Sequence, residues 1–333
     1  MTTFLSGIQS SGYLHLGNYF GAIRQHIDAT SEAGDHFYFI ADYHALTSSR
    51  NPDELRDFVR ETAITYLALG LDPERCALFR QTDVPEVHEI AWLLSCVTGM
   101  GLLERAHSYK DKLANGVKPN VGLFTYPVLM AADILAYDSD IVPVGKDQIQ
   151  HVEMTQDMAG YFNNAFGKHA PEGYAFVRPE YRMAATERFQ KVPGIDGQKM
   201  SKSYGNSVWI FESGKKLKKA IGRVPTDSRE PEEPKNPEEL VLFDFLALFL
   251  DVAELGDWKE RVQKGGPGAP GYGHIKMRVI EAMEEYFAPA RKRREELLAN
   301  PDEVERILQA GAEKARTRAR KVRDRAMKAC GLR

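Results

Sequence analysis

The order of apolar and polar positions divides the chain into two halves of different texture. In the first half, short apolar or β-rich runs alternate with stretches of helical period; the runs are 3–8 (TFLSGI), 36–42 (HFYFIAD), 76–80 (CALFR) and 140–145 (DIVPVG). The pattern over 52–69 predicts a helix, with Asn51 as its cap and Pro52 at the first helical position, where no backbone N–H is needed. Strand–helix alternation of this kind predicts an α/β fold built on a parallel, doubly wound sheet. Such sheets bind ligands beyond the carboxyl ends of their strands, which directs attention to residues 6–18, 42–44 and 145–151.

The second half reads differently. Residues 225–239 (PTDSREPEEPKNPEE) are acidic and proline-rich, and 264–273 (KGGPGAPGYG) is a glycine–proline loop. Around them the period is helical, over 239–251, 274–298 and from 301 to about 329. Arg and Lys crowd the stretch from Arg291 to Lys328, with Glu295, Glu296, Asp302, Glu303 and Glu305 between them. From Lys314 to Lys328 bases dominate, and charge alone leaves a solvated face and an RNA-facing one both open.

Composition narrows the class. With 333 residues, 43% hydrophobic, the chain is long enough for two domains with sizeable cores. A net charge of −3 excludes a protein that is basic overall, so any RNA contact must come from a local patch. Cys76, Cys96 and Cys330 form no CxxC pair, which argues for reduced thiols and against a disulfide frame or a zinc site. The N-terminus lacks the features of a signal peptide, and no apolar run approaches the ~18 residues that span a bilayer. A cytoplasmic globular protein without membrane contact is the expectation.

Two segments carry the chemistry. Residues 6–21 (SGIQSSGYLHLGNYFG) follow a predicted strand and lead into a helix near Leu16–Gly17, a junction that aims backbone N–H groups at an anion. His15 and Asn18 add donors, and Gly17 leaves room for a flat adenine; H-x-G-N alone also fits an ordinary turn. Familiar nucleotide motifs are missing: Gly99-Met100-Gly101 lacks the third glycine of GxGxxG, and no GxxxxGK[ST] occurs. The second segment is Lys199-Met200-Ser201-Lys202-Ser203, preceded by Gly194 and Gly197. A loop with two lysines can close over a triphosphate and stabilise departing pyrophosphate. A solvated surface loop explains any K-x-x-K, but the full pentamer arises by chance in such a chain roughly once in ten thousand.

H-x-G-N followed late by KMSKS resembles the signature pair of class I aminoacyl-tRNA synthetases, with Asn18 in place of a second histidine. Segment 122–151 (GLFTYPVLMAADILAYDSDIVPVGKDQIQH), the Asp42…His44 strand end and the C-terminal AGAEKARTRARKV extend the likeness to bacterial tryptophanyl-tRNA synthetases over essentially the whole chain. The resemblance implies a tryptophan–tRNA ligase that forms tryptophanyl-adenylate from ATP, supplied with Mg²⁺ and without a protein-bound metal, and passes the amino acid to tRNA(Trp). It implies a catalytic group of His15, Asn18, Lys112, Lys199 and Lys202. ATP would meet Gln9, Ser10, Ser11, Gly17, Asn18, Gly145, Lys146, Asp147, Val192, Lys199, Met200, Ser201, Lys202 and Ser203. L-tryptophan would meet Leu5, Gly7, His44, Tyr126, Met130, Asp133, Val142, Val144 and Gln148.

The residues themselves allow these roles. Asp133 sits in an otherwise apolar helix (VLMAADIL), and an indole N–H, a donor only, suits a carboxylate; a solvent-facing carboxylate is the alternative. Asp147 stands where a strand gives way to a helix, which fits an N-cap or a ribose contact equally. Leu5, Lys146, Gln198 and Tyr204-Gly205 depart from residues frequent in that family. The expected organisation is a Rossmann-like catalytic domain over 1–206 and a helical domain for the tRNA anticodon region over 207–333, in a homodimer. Tyrosyl-tRNA synthetases, nucleotidyltransferases and idle synthetase-like RNA-binding proteins are the competing classes; Gly145-x-Asp147-Gln148-x-Gln150-His151 favours tryptophan over tyrosine.

Overall fold

The computed structural model describes residues 1–47, 49–106, 109, 110, 116, 118–183 and 192–333. Its strands are β1 (Thr3–Ile8), β2 (Asp35–Ile40), β3 (Ala77–Arg80), β4 (Ile141–Pro143) and β5 (Glu180–Arg182). They pair in parallel in the order β3-β2-β1-β4-β5. The chain moves outward from β1 through β2 to β3, then crosses to the other side of β1 for β4 and β5. The order therefore reverses beside β1, the place where such sheets hold ligands.

Helices of the first half are α1 (Leu16–Asn18), α2 (Arg24–Ala29), α3 (Asp42–Ala45), α4 (Pro52–Ala68), α5 (Glu86–Ser95), α6 (Met100–Glu104), α7 (Val121–Leu135) and α8 (Ile149–Phe166). Then follow α9 (Gly214–Gly222), α10 (Val241–Phe249), α11 (Val252–Lys264), α12 (Tyr272–Tyr286), α13 (Ala288–Ala299) and α14 (Pro301–Ala329). α4 starts as expected: the Asn51 side chain accepts from the N–H groups of Asp53 and Glu54, and Pro52 takes the first position. The single helix expected over 274–298 is instead two, α12 and α13, broken at Phe287. β5 was not expected. All three of its residues are exposed and polar or aromatic, as suits a short edge strand, so it lacks the apolar run that marks the others.

The chain divides into two compact units. The first is Met1–Tyr13, Gln25–Ala184 and Leu297–Arg333; the second is Leu14–Arg24 and Ala185–Glu296. This differs from a cut after residue 206, and side-chain packing explains why. Tyr19 and Phe20, in a π-helical turn over Tyr19–Ile23, pack edge-on against Tyr286, Phe287 and Phe249, so the 14–24 segment belongs with the helices of the second unit. The C-terminal α14 belongs with the sheet. Its small buried residues Ala312, Ala315, Ala319 and Ala326 join the core of Phe37, Phe39, Phe79 and Tyr137.

α14 is also bound to the first unit by charge. Arg316 and Arg320 donate to the buried Glu86, Arg318 to Asp35 at 2.6 Å, Arg323 to Glu89 at 2.8 Å and Arg325 to Asp138. Burial opposes the charge on Glu86, but Arg316, the backbone and Arg320 outweigh it and hold its carboxyl below the ordinary range. The arginines of the basic C-terminal stretch are thus internal ion-pair partners of the sheet unit, neither a bare solvated face nor a free RNA surface.

α14 runs close against the sheet at Gly311, where a β-carbon would lie 2.1 Å from the Leu78 carbonyl oxygen of β3. Backbone cannot yield as a flexible side chain does. Gly311→Ala should therefore lower unfolding free energy by about 2 kcal/mol despite the better helix propensity of alanine. A urea midpoint equal to or above that of the parent chain would refute this packing.

Candidate functional site

In the first unit, four strand ends supply the site. The buried Asp133, on α7, is 1% exposed. His44, just after β2, places Nε2 2.8 Å from Asp133 Oδ2, where its N–H donates to the carboxylate. Gln81, just after β3 and also buried, donates from Nε2 to both carboxylate oxygens at 2.8 Å. Gln81 is itself held, since its Oε1 accepts the Tyr43 N–H at 3.1 Å. A carboxylate has about four acceptor positions. Among the described residues three contacts are in place, which leaves one acceptor position without a donor.

Tyr126, Met130 and Asp133 lie at i, i+4 and i+7 of α7, on one face. The Tyr126 ring meets His44 edge-on, and its hydroxyl is 2.7 Å from His151 Nε2 on α8. Burial pushes the Tyr126 hydroxyl up to about 12, so it stays protonated. Gly7 is exposed at the end of β1; a β-carbon there would strike the Phe39 ring at 2.4 Å. Leu5 and Val142 are buried in the sheet core, while Met130 and Val144 are half-buried against it.

Gln9 is exposed and donates to the His44 carbonyl at 3.2 Å. Ser10 is wholly buried, and its Oγ has no hydrogen-bond partner among the described residues; Ser11 is exposed. After β4, Gly145 and Lys146 are exposed and Gln148 half-buried, in a tight turn over Lys146–Gln148 that includes Asp147. Asp42, behind His44, is buried; burial raises its carboxyl, against hydrogen bonds from Thr82 and Tyr43 that lower it.

The second unit carries both signature segments, H-x-G-N and KMSKS. His15 Nδ1 accepts the Asn18 N–H at 3.3 Å, and Asn18 Oδ1 accepts the His15 N–H at 3.0 Å, a reciprocal cap on α1. Burial, aided by the charge of Lys202, lowers His15 to about 4. The ring is therefore neutral, and with Nδ1 accepting, its proton sits on Nε2. Asn18 in place of a second histidine is explained: its amide closes the cap. A β-carbon on Gly17 would lie 3.0 Å from the His15 ring and 3.5 Å from Met200 Cβ, so glycine lets the two signatures approach. The Leu16 N–H donates to the Val208 carbonyl at 2.9 Å, and that of Ile210 to Leu14.

The lysine loop is a tight hairpin organised by one side chain. The buried Asn206 donates to Asp196 Oδ1 and the Lys199 carbonyl, and its Oδ1 accepts the Ser201 N–H at 2.8 Å. A β-carbon on Gly194 would collide with it at 2.3 Å. The buried Val192 accepts from the Met200 N–H at 3.0 Å. Met200 is buried, Ser201 half-buried and Lys199 exposed, while burial lowers Lys202 to about 8. Ser203 lies in the short turn Lys202–Tyr204. Lys112 falls outside the described residues. Among the described residues, no cluster of His, Cys, Asp and Glu is arranged for a metal ion.

The family described as tRNA synthetases class I (W and Y) matches residues 1–288. A tryptophan–tRNA ligase of Rhodopirellula baltica is 53% identical over 329 residues, covering 99% of both chains. One from Fusobacterium nucleatum is 49% identical over 95% of this chain and 94% of its own. The chain belongs to the tryptophan–tRNA ligase family of class I tRNA synthetases. The structure of the Campylobacter jejuni tryptophanyl-tRNA synthetase, complexed with ADP and tryptophan, superposes with a TM-score of 0.91 at 47% identity, covering 99% of this chain and all of that one.

Within this family frame, Gln81, Thr82 and Asn206 are the polar residues that motif reading passed over, while His151 closes the 145–151 run already singled out. Gln81 follows the third strand, and the rule about carboxyl ends, applied to every predicted strand, points to it. Asn206 gave no signal beyond its place three residues past the pentamer. Asn206→Ala removes three hydrogen bonds that shape the lysine loop. It should lower kcat/KM for ATP in pyrophosphate exchange by at least about tenfold while leaving tryptophan affinity unchanged. Equal losses for ATP and tryptophan, or none, would show that the loop does not depend on it.

Proposed function

We propose that this chain activates L-tryptophan with ATP and charges tRNA(Trp). In the first step the tryptophan carboxylate attacks the α-phosphorus of ATP. The bond from that phosphorus to the bridging oxygen breaks, and pyrophosphate leaves with its electron pair. In the second step a terminal ribose hydroxyl of the tRNA attacks the adenylate carbonyl, loses its proton and expels AMP. ATP enters as its Mg²⁺ complex.

The observation that carries this reading is Asp133, a buried carboxylate pinned by His44 and Gln81 with one acceptor position left. An indole N–H fits that position. Tyr126, Met130, Val142, Val144, Leu5 and Gly7 shape the space for the ring, and Gln148 holds the amino-acid end. On the nucleotide side, the neutral His15 offers Nε2–H to a phosphate oxygen, with Asn18 and Gly17 holding it in place. Gln9, Ser10, Ser11, Gly145, Lys146 and Asp147 serve the nucleoside end, and Val192 and Met200 to Ser203 frame the loop. Lys199, Lys202 and Lys112 neutralise charge on the departing pyrophosphate. The enzyme acts in the cytoplasm as a homodimer; the exposed Trp92 and Met100, each large and apolar, support a surface for a second copy.

Two measurements test the assignment. Phenylalanine strands the Asp133 carboxylate without a donor, a loss of roughly 3 kcal/mol, so that one contact supplies discrimination of about 10². Asp133→Ala should collapse the tryptophan-to-phenylalanine ratio in ATP–pyrophosphate exchange. An unchanged ratio would remove Asp133 from the pocket, and faster exchange with tyrosine than with tryptophan in the parent enzyme would overturn the substrate.

The pH profile reads Lys202. Its ammonium is charged below its lowered value of about 8 and neutral above it. kcat/KM for ATP, which reports the free enzyme, should therefore fall as pH rises through about 8. Lys202→Arg, charged throughout, should abolish that limb. Its persistence in the arginine variant would assign the limb to another group.

A further inference from the structure

We propose that the exposed face of α9 is the surface that holds the phosphate backbone of tRNA. The inference rests on the tRNA-charging reading above, and it places the contact on a helix other than the basic C-terminal one.

The case begins with which cations are already engaged. The arginines of α14 at 316, 318, 320, 323 and 325 each bond to carboxylates of the first unit. Lys314, Lys321 and Lys328 stay exposed on that helix, but only one for every two turns. α9 is the opposite case. Residues 214–223 read GKKLKKAIGR, five cations and no acid. Lys215, Lys216, Lys218, Lys219 and Arg223 are all exposed, and none has an ion pair among the described residues. The acid at the helix start, Glu284, is occupied by the Gly214 N–H at 3.0 Å.

Geometry gathers these charges on one side. At about 3.6 residues per turn, the five cations fall on a single arc opposite Leu217 and Ile221, which are fully buried in the second unit. Five like charges within ten residues repel one another and gain nothing in the free protein. A dense polyanion relieves that repulsion and releases its own counterions on binding. The chain is acidic overall, so a negative ligand is drawn to this face and not to the surface at large.

The partner is RNA and not a lipid surface. A membrane-binding basic helix keeps an apolar face free to enter the acyl boundary. The apolar residues of α9 are already spent in the protein core, and its outer arc offers only ammonium, guanidinium and backbone. Lysines meet phosphates as point charges and read no bases. The contact therefore positions tRNA without selecting its sequence.

The test uses the full-length enzyme and transcripts of tRNA(Trp) and of one noncognate tRNA. The variant with Lys215→Ala, Lys216→Ala, Lys218→Ala and Lys219→Ala should weaken binding of both tRNAs at least about tenfold at moderate salt. The slope of log Kd against log salt should flatten by about 3, at ~0.7–0.9 per phosphate contact. KM for tRNA in charging should rise in parallel, while tryptophan-dependent pyrophosphate exchange stays within twofold. The corresponding Lys→Arg variant should restore binding, which separates charge from fold. Unchanged tRNA affinity, an equal loss of exchange, or a loss confined to anionic phospholipid vesicles would overturn the proposal. The binding arm contains no amino acid. A parent enzyme that binds tRNA through these lysines but exchanges with another amino acid would therefore support the surface and refute the tryptophan assignment alone.

Discussion

A carboxylate withdrawn from water must be met by donors, and much of the first unit is arranged around that requirement at Asp133. α7 carries the group into an apolar environment. The ends of two adjacent strands, β2 and β3, deliver His44 and Gln81 to it, and the Tyr43 backbone fixes Gln81 in turn. Removing either donor leaves a buried charge less than fully matched, which typically costs 1–3 kcal/mol or more. The same arrangement that stabilises the carboxylate limits what it can accept. Only one position is open, and a ligand without an N–H or O–H aimed there leaves it unfilled. In the proposed pocket, fold stability and substrate choice draw on one set of hydrogen bonds.

In the second unit, burial sets the protonation of two signature residues, His15 and Lys202. His15 is made a neutral donor by burial, by the nearby Lys202 charge and by a cap that occupies Nδ1. Lys202, partly desolvated, is a less hydrated and more responsive cation than a surface lysine. Both belong to one compact unit, stitched by backbone bonds from Leu16 to Val208 and from Ile210 to Leu14. The spacing of the two signatures is therefore set by contacts inside that unit. Preorganisation of this kind is where electrostatic catalysis gets most of its effect, because donors already in place need not reorganise as charge moves.

Much of this was legible in the chain. Four strands and the caps of α4 follow from apolar runs and from Asn51-Pro52, because buried parallel strands must be apolar and helix starts need acceptors. β5 escaped because an exposed edge strand of Glu, Tyr and Arg carries no such run. The units escaped because they are not contiguous: aromatic packing of Tyr19 and Phe20 joins 14–24 to α10 and α12, and nothing in the local pattern of either segment announces the other. The site divides likewise. His15, Lys199 and Lys202 are marked by rare motifs, whereas Gln81 meets Asp133 only through the fold, and Asn206 bonds across a local hairpin turn that no motif string encodes.

Charge shows the same limit most plainly. Two basic stretches, 214–223 and 314–328, look alike when residues are merely counted. In α14 the guanidinium groups interleave with small residues that let the helix lie close to β3, so each can reach across to a carboxylate of the sheet unit. Planar, multi-donor groups are suited to such fixed, partly buried pairing. In α9 the cations are mostly lysines, on the arc facing away from Leu217 and Ile221, and none is ion-paired with a carboxylate among the described residues. Ammonium groups on long, hydrated stems lose little by waiting in water. The choice between arginine and lysine therefore follows where each helix stands. Arginine is used where charge is consumed in holding the fold, and lysine where charge is kept available.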